Sequence, residues 1–269
     1  MTRVRLRLVV IAATLAAFLV APAIAIGKTI TLSGSTSVAP LATLLARKYV
    51  RTHDDNIGFK ILQGGSDVGV ADIAAGRVSI GMSSRDPKPS DPGGLVFNKI
   101  AHDALCLLTH NSNNLSGLDQ AGVQNIFSGA VRDWGQVPGA TVGGTIDVYV
   151  RTAASGTQDA FDKIFMGGKK IFSGASQKAS NGLVQQSVVG DPSGIGYVSL
   201  AFTEGGHVVP YKGVGCDLRN AKSGQYGGIR SFFMVTQGEP QGAVKKFIRW
   251  ILGNKKARKV TATEWVPLK

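Results

Sequence analysis

The chain has 269 residues, 43% of them hydrophobic, which is enough to bury a large core and excludes both a disordered chain and a disulfide-stapled miniprotein. Thirty Lys and Arg against 17 Asp and Glu give a formal charge of +13. Such a balance points toward nucleic acid, a membrane surface or an anionic ligand.

In chain order, the first segment holds Arg3, Arg5 and Arg7 and no acid. An uncharged, mostly apolar run over 8–26 follows, ending in Ala23-Ile24-Ala25. This reads as a secretory signal peptide over 1–25 with a small-residue cleavage site. The alternative is an uncleaved anchor, since the run is long enough to span a bilayer; the small-residue ending favours cleavage. No Cys follows the run to serve as a lipoprotein acceptor, and the mature chain keeps a charge of +10.

Strands are expected at 30–32, 58–62, 78–82, 104–109, 146–150, 196–201 and 232–236, each bounded by Gly, Pro, Asn, Asp or Ser. Helical spacing appears between them. Val38, Leu41, Leu45 and Tyr49 share a face behind Pro40 in a first turn, helices are read over 70–75 and 118–127, and Phe161, Ile164 and Phe165 precede a Gly167-Gly168 stop. Near the C-terminus Ala243, Phe247, Ile248, Ile251 and Leu252 form an apolar face whose opposite side is basic. Strands alternating with helices predict an α/β protein with largely parallel sheets.

Three strand-to-helix turns carry the chemistry. They are Ser33-Gly34-Ser35-Thr36-Ser37, Gly64-Gly65-Ser66, and Arg151 with Ser155-Gly156-Thr157. Each sets small hydroxyls beside the free N–H groups of a helix start, where an oxyanion is stabilised. Arg151 adds a planar fork of donors. Any one such turn could be an ordinary N-cap; three in one chain, one of them basic, favour a shared anion site. Ser83-Ser84-Arg85-Asp86, at the end of the third strand, is a fourth candidate.

Cys106 and Cys216 are an even pair and a disulfide candidate in an oxidising compartment; the alternative is two unpaired thiols. They are too few and too far apart for a metal site, and no metal or cofactor is expected. Catalysis is not expected either. The sequence has no G-x-S-x-G, S-x-x-K, H-E-x-x-H or Walker A motif, and His53, His102, His110 and His207 are scattered. The basic stretch over 245–259 could suit an anionic surface, but its apolar face reads as packed, and no nucleic-acid-reading motif accompanies it.

An ordered series of segments carries a resemblance: LSGSTSVAPL at 32–41, QGGSDVGVADIAAG at 63–76, VSIGMSSRD at 78–86, QNIFSGAVRDW at 124–134, RTAASGTQDAF at 151–161, GIGYVSLAF at 194–202 and VTQGEPQGAVKKFIRWI at 235–251. Together they resemble the phosphate-binding proteins of bacterial phosphate ABC transporters. The resemblance implies a two-lobed periplasmic-binding-protein fold of type II, each lobe a mixed sheet flanked by helices with a hinge between. It places one lobe at 27–108 plus 203–269 and the other at 109–202. It further implies a monomeric, exported, non-enzymatic receptor that closes on inorganic phosphate and delivers it to a membrane permease. Another tetrahedral oxyanion, such as sulfate, molybdate or phosphite, is the alternative ligand.

Mapped onto this chain, the family's phosphate contacts fall on Thr36, Ser37, Ser66, Arg151, Ser155, Gly156 and Thr157. Where well-known members carry an Asp that accepts the proton of hydrogen phosphate, this chain has Ser84. Ser84 is therefore expected to touch the ligand, with Asp86 or Asp67 as the proton acceptor; the alternative reading of these two carboxylates is turn or N-cap residues.

Overall fold

A computed structural model describes residues 28–53 and 56–269; the expected signal peptide at 1–25 lies outside the described residues. Ten strands form one curled sheet shared by two lobes. In the first lobe, β1 (Thr29–Gly34) leads into α1 (Val38–Val50), β2 (Gly58–Gln63) into α2 (Ser66–Ala74), and β3 (Ile80–Ser83) ends at the site. β1 lies between β2 and β3 and is parallel to both. The fifteen-residue β4 (Leu95–Thr109) joins the lobes.

The second lobe contains α3 (Gln120–Phe127), β5 (Asp147–Arg151), α4 (Gly156–Phe161), β6 (Ser176–Lys178), α5 (Asn181–Val189), β7 (Gly194–Ser199), β8 (His207–Val209) and α6 (Leu218–Ser223). A π turn over Asp162–Met166 continues α4. The chain then returns through β9 (Ile229–Gln237) to α7 (Gly242–Gly253), α8 (Lys255–Thr261) and β10 (Val266–Pro267). β5 pairs in parallel with β6 and β7. Each lobe is thus a mixed sheet, because β4 and β9 run antiparallel to their neighbours.

β4 is the shared element. Its first ten residues pair with β9, and its last five with β7 and β8. The hydrophobic cores divide at the same point. One holds Ile30, Leu32, Leu41, Leu45, Tyr49, Met82, Phe232, Phe247 and Trp265. The other holds Leu105, Phe127, Trp134, Phe161, Tyr197, Val209, Tyr211 and Tyr226. Residues 209–226 therefore pack with the second core, whereas the sequence reading grouped 203–269 with the first lobe. Two features hold them there: β8 pairs with the second half of β4, and Cys106 on β4 is bonded to Cys216, with Cα atoms 5.6 Å apart. Closing a loop of 110 residues restricts the unfolded chain by roughly 5 kcal/mol in the entropic account.

Helix α1 buries Val38, Leu41, Leu45 and Tyr49, as its spacing predicts. Tyr49 packs edge-on to Phe247 and Trp250 of α7, with ring centroids 5.2 and 5.3 Å away. In α7 the buried face is Phe247, Ile248, Trp250 and Ile251. Leu252, expected in that face, is 51% exposed. Trp250, one turn beyond Lys246, fills the space against Tyr49 and His53 instead.

Candidate functional site

β1 delivers the first turn into the interior. Gly34 has φ 130°, and a Cβ there would stand 2.4 Å from the Met82 carbonyl oxygen, so only glycine lets this turn lie against β3. Ser35 Oγ accepts the N–H groups of Ser37 and Val38, both at 3.3 Å, and thereby caps α1. In the second turn Ser66 opens α2, and its Oγ accepts the N–H of Ser84 at 3.0 Å. In the third, Ser155 caps α4 by accepting the N–H groups of Thr157 and Gln158.

The structure brings these turns together across the lobes. Ser37 Oγ lies 2.9 Å from Thr157 Oγ1, and the Asp67 N–H donates to the Ala154 carbonyl at 3.1 Å. A Cβ on Gly156 would lie 2.4 Å from Ser66 Oγ. Ser84 Oγ receives the hydroxyl of Ser35 at 2.9 Å and lies 3.3 Å from Ser66 Oγ. Thr36, Ser37, Ser66, Ser84, Arg151, Ser155, Gly156 and Thr157 are all buried.

Several residues of the cluster escaped the sequence reading. Register places Asp103 of β4 opposite Arg230 of β9. Arg230 grips the Asp103 carboxylate through Nε at 2.9 Å and Nη2 at 2.8 Å, and Nη2 also donates to Ser37 Oγ at 2.8 Å. Asp103 is fully buried and accepts the Ser199 hydroxyl as well. From the second lobe, Asn181 Nδ2 donates to Thr36 Oγ1 at 3.0 Å and Ser37 Oγ at 2.8 Å, while its Oδ1 accepts the Ser199 N–H. One signal was available: Arg230 is the lone charge in β9.

Two guanidinium groups dominate the electrostatics. Arg151 donates Nε to the Lys178 carbonyl and Nη2 to the Ala179 carbonyl, and its backbone N–H goes to the Tyr197 hydroxyl. Its Nη1 is buried without a partner, and so is Nη1 of Arg230. Burial, together with the positive charge of Arg230, lowers Arg151 to about 10, which leaves it cationic at neutral pH. Burial also lowers Arg230, with Asp103 opposing the shift. Two buried like charges each keep an unused donor, and one of them, Arg230, also reaches the Ser37 hydroxyl. That arrangement is complementary to an anion that accepts hydrogen bonds on several sides.

The carboxylates expected to accept a ligand proton stand elsewhere. Asp86 pairs with Lys163 at 2.8 Å on the exposed rim. Asp67 pairs with Arg85 at 2.7 Å, and Arg85 in turn binds Asp91 through both terminal nitrogens. Lys88 pairs with Asp159 of the opposite lobe at 2.7 Å. These pairs surround a 530 Å³ cleft lined also by Ser84, His102 and Ile164. Among the described residues no group of three or more His, Cys, Asp and Glu could hold a metal ion.

This geometry can be set beside known proteins. The chain is 24% identical over 227 residues to the phosphate-binding protein PstS of Bacillus subtilis, covering 82% of this chain and 74% of the relative. A Clostridium perfringens protein assigned as a phosphate ABC transporter substrate-binding protein, solved with bound phosphate, is 28% identical. It superposes with a TM-score of 0.84, covering 90% of this chain and 100% of that one. An ABC-type phosphate transport receptor from Vibrio cholerae, 24% identical, shares the fold with a TM-score of 0.71 over 89% of this chain and 100% of that one. A family model described as the PBP superfamily domain matches residues 20–255. With the two-lobed α/β fold shared and most of the sequence matched, the chain belongs to the PBP superfamily.

Proposed function

We propose that the protein is an exported receptor that captures inorganic phosphate between its lobes and delivers it to the membrane permease of an ABC transporter. The observation that carries this reading is the pair of buried guanidinium groups, Arg151 and Arg230, each with an unpartnered Nη1, Arg151 at the start of the turn that holds Ser155 and Thr157 and Arg230 in contact with Ser37. Phosphate would take these two donors together with the hydroxyls of Thr36, Ser155 and Thr157. Arg151, Arg230 and Asp103 leave one net positive charge, and hydroxyls, which cost less to desolvate than further charges, do the rest. Closure of the lobes excludes water, which strengthens each hydrogen bond to the anion.

The similarity to phosphate-binding and phosphate-transport proteins of Bacillus subtilis, Clostridium perfringens and Vibrio cholerae supports phosphate as the ligand. The arginine-flanked stretch over 1–26 supports export. No helix among the described residues is long and apolar enough to cross a membrane. On this reading the chain acts as a monomer and performs no catalysis. The lobes follow the cores, one running from β1 to about residue 104 and resuming near 228, the other lying between. Asp67 and Asp86 act as rim carboxylates and leave the proton-acceptor role unfilled.

Calorimetric titration of the chain with inorganic phosphate tests the proposal. Saturable binding of one phosphate is expected, with Arg151→Ala weakening it by at least about tenfold through loss of a charged hydrogen bond. Absence of saturable binding in the unaltered protein refutes it.

A further inference from the structure

The hydroxyls of the site have a polarity that their neighbours dictate. A hydroxyl offers one hydrogen and two lone pairs. Both lone pairs of Ser37 Oγ are taken by groups that can only donate, Asn181 Nδ2 and Arg230 Nη2. The Asn181 amide cannot be reversed, because its Oδ1 receives the Ser199 N–H. Ser37 must therefore donate to Thr157 Oγ1, and the Thr157 hydrogen is left for a ligand. Ser155 Oγ accepts two backbone N–H groups, so its hydrogen is also spare. Ser35 Oγ likewise accepts two backbone N–H groups and must donate to Ser84.

The fixed directions end at Ser84. Its Oγ accepts from Ser35, Ser66 Oγ accepts the Ser84 N–H, and the two hydroxyls lie 3.3 Å apart with either free to donate to the other. Among these hydroxyl pairs it is the one whose direction no neighbour sets. The nearby carboxylates cannot substitute, since Arg85, Lys88 and Lys163 hold Asp67 and Asp86 in ion pairs.

We propose that the Ser66–Ser84 pair is a reversible acceptor that lets the site hold a protonated tetrahedral dianion and a fully ionised one alike. With hydrogen phosphate, Ser84 donates to Ser66; a Ser84 lone pair then accepts the P–OH hydrogen, while Ser66 donates to an unprotonated oxygen. With sulfate the bond reverses: Ser66 donates to Ser84, whose own hydrogen turns to the ligand. No charge changes in either case, and every hydroxyl stays satisfied. A carboxylate at position 84 would face sulfate with a lone pair and no proton between them. The inference rests on the oxyanion reading of the site, and it makes Ser84 the residue that sets selectivity.

The test is competitive calorimetry of phosphate against sulfate at about pH 8, where phosphate is largely a dianion carrying one hydrogen. It uses the full chain and its Ser84→Asp and Ser84→Ala variants, with melting curves in each anion to show that both variants fold. The unaltered protein should bind sulfate within about tenfold of phosphate. Ser84→Asp should lower the sulfate-to-phosphate affinity ratio by at least about a hundredfold. Ser84→Ala, which deletes the reversible acceptor, should move the ratio toward sulfate. Tight phosphate binding with sulfate more than about a hundredfold weaker in the unaltered protein overturns the reversible acceptor and leaves the phosphate reading intact. A ratio unmoved by both substitutions also overturns it. Failure of the unaltered protein to bind either anion overturns the phosphate reading itself.

Discussion

Arg151 and Arg230 each leave Nη1 unpartnered in the buried site, yet removing them should have different consequences. Arg230 neutralises Asp103, which has no exposed surface, so Arg230→Met strands a buried carboxylate. The expected loss is about 3–5 kcal/mol of folding stability. Arg151 rests on two carbonyl oxygens and faces no carboxylate. Arg151→Met leaves those carbonyls short of donors, at about 1–3 kcal/mol, and offsets part of this by relieving repulsion with Arg230. Urea unfolding without phosphate should therefore rank Arg230→Met well below Arg151→Met in stability, while calorimetry shows both weakened in phosphate binding. Equal destabilisation would show that Asp103 does not depend on Arg230. The same contrast explains what the sequence could reveal. Thr36, Ser37, Ser66, Ser155 and Thr157 stand in short Gly-Ser-Thr turns that announce themselves locally. Arg230 and Asn181 reach Ser37 across 193 and 144 residues, and no local pattern encodes that distance.

At the scale of elements, the turns before α2 and α4 meet at Gly156. A Cβ there would stand 2.4 Å from Ser66 Oγ and 2.9 Å from the Arg85 backbone nitrogen, and the second of these cannot move aside. Gly156→Ala should suit α4 as an isolated helix and oppose only the approach of the two lobes. Phosphate affinity is expected to fall by about ten- to a hundredfold, the range of overpacking a tight contact, with an unchanged circular dichroism spectrum. Unchanged affinity would mean that the lobes bind phosphate without approaching this closely. Legibility at this scale follows burial. The apolar second half of β4 was readable, but its first half was not, because Asn98, Lys99, His102 and Asp103 interrupt the apolar pattern of the strand. β6, β8 and β10 are three residues or fewer and carry too little pattern to find. In α7 the periodicity gave the correct face but chose Leu252 over Trp250, whose ring the aromatic cluster around Tyr49 draws inward.

For the whole molecule, a formal charge of +13 hints at an anion but does not locate its site. Much of the basic charge is solvated, as on the outer faces of α7 and α8, whereas the site works with two buried cations and one buried anion. Two sets of charges govern closure. On the rim, Lys163 with Asp86 attracts across the lobes but is open to solvent, so it changes affinity by at most about fivefold; deeper in, the largely buried Asp159 meets Lys88 and Arg85 of the opposite lobe. Inside, Arg151 and Arg230 repel while their charges lose water. Without an anion this repulsion opposes closure, and the exposed Lys163–Asp86 pair is too weak to overcome it. Phosphate reverses the sign of the interior contribution by giving both guanidinium groups a partner. Small-angle scattering should therefore show a larger radius of gyration without phosphate and a contraction when it is added. The Asp86→Ala variant should contract in the same way, because the rim pair assists closure without driving it. An Asp86→Ala protein that stays expanded in saturating phosphate would transfer the driving role from the buried arginines to the rim.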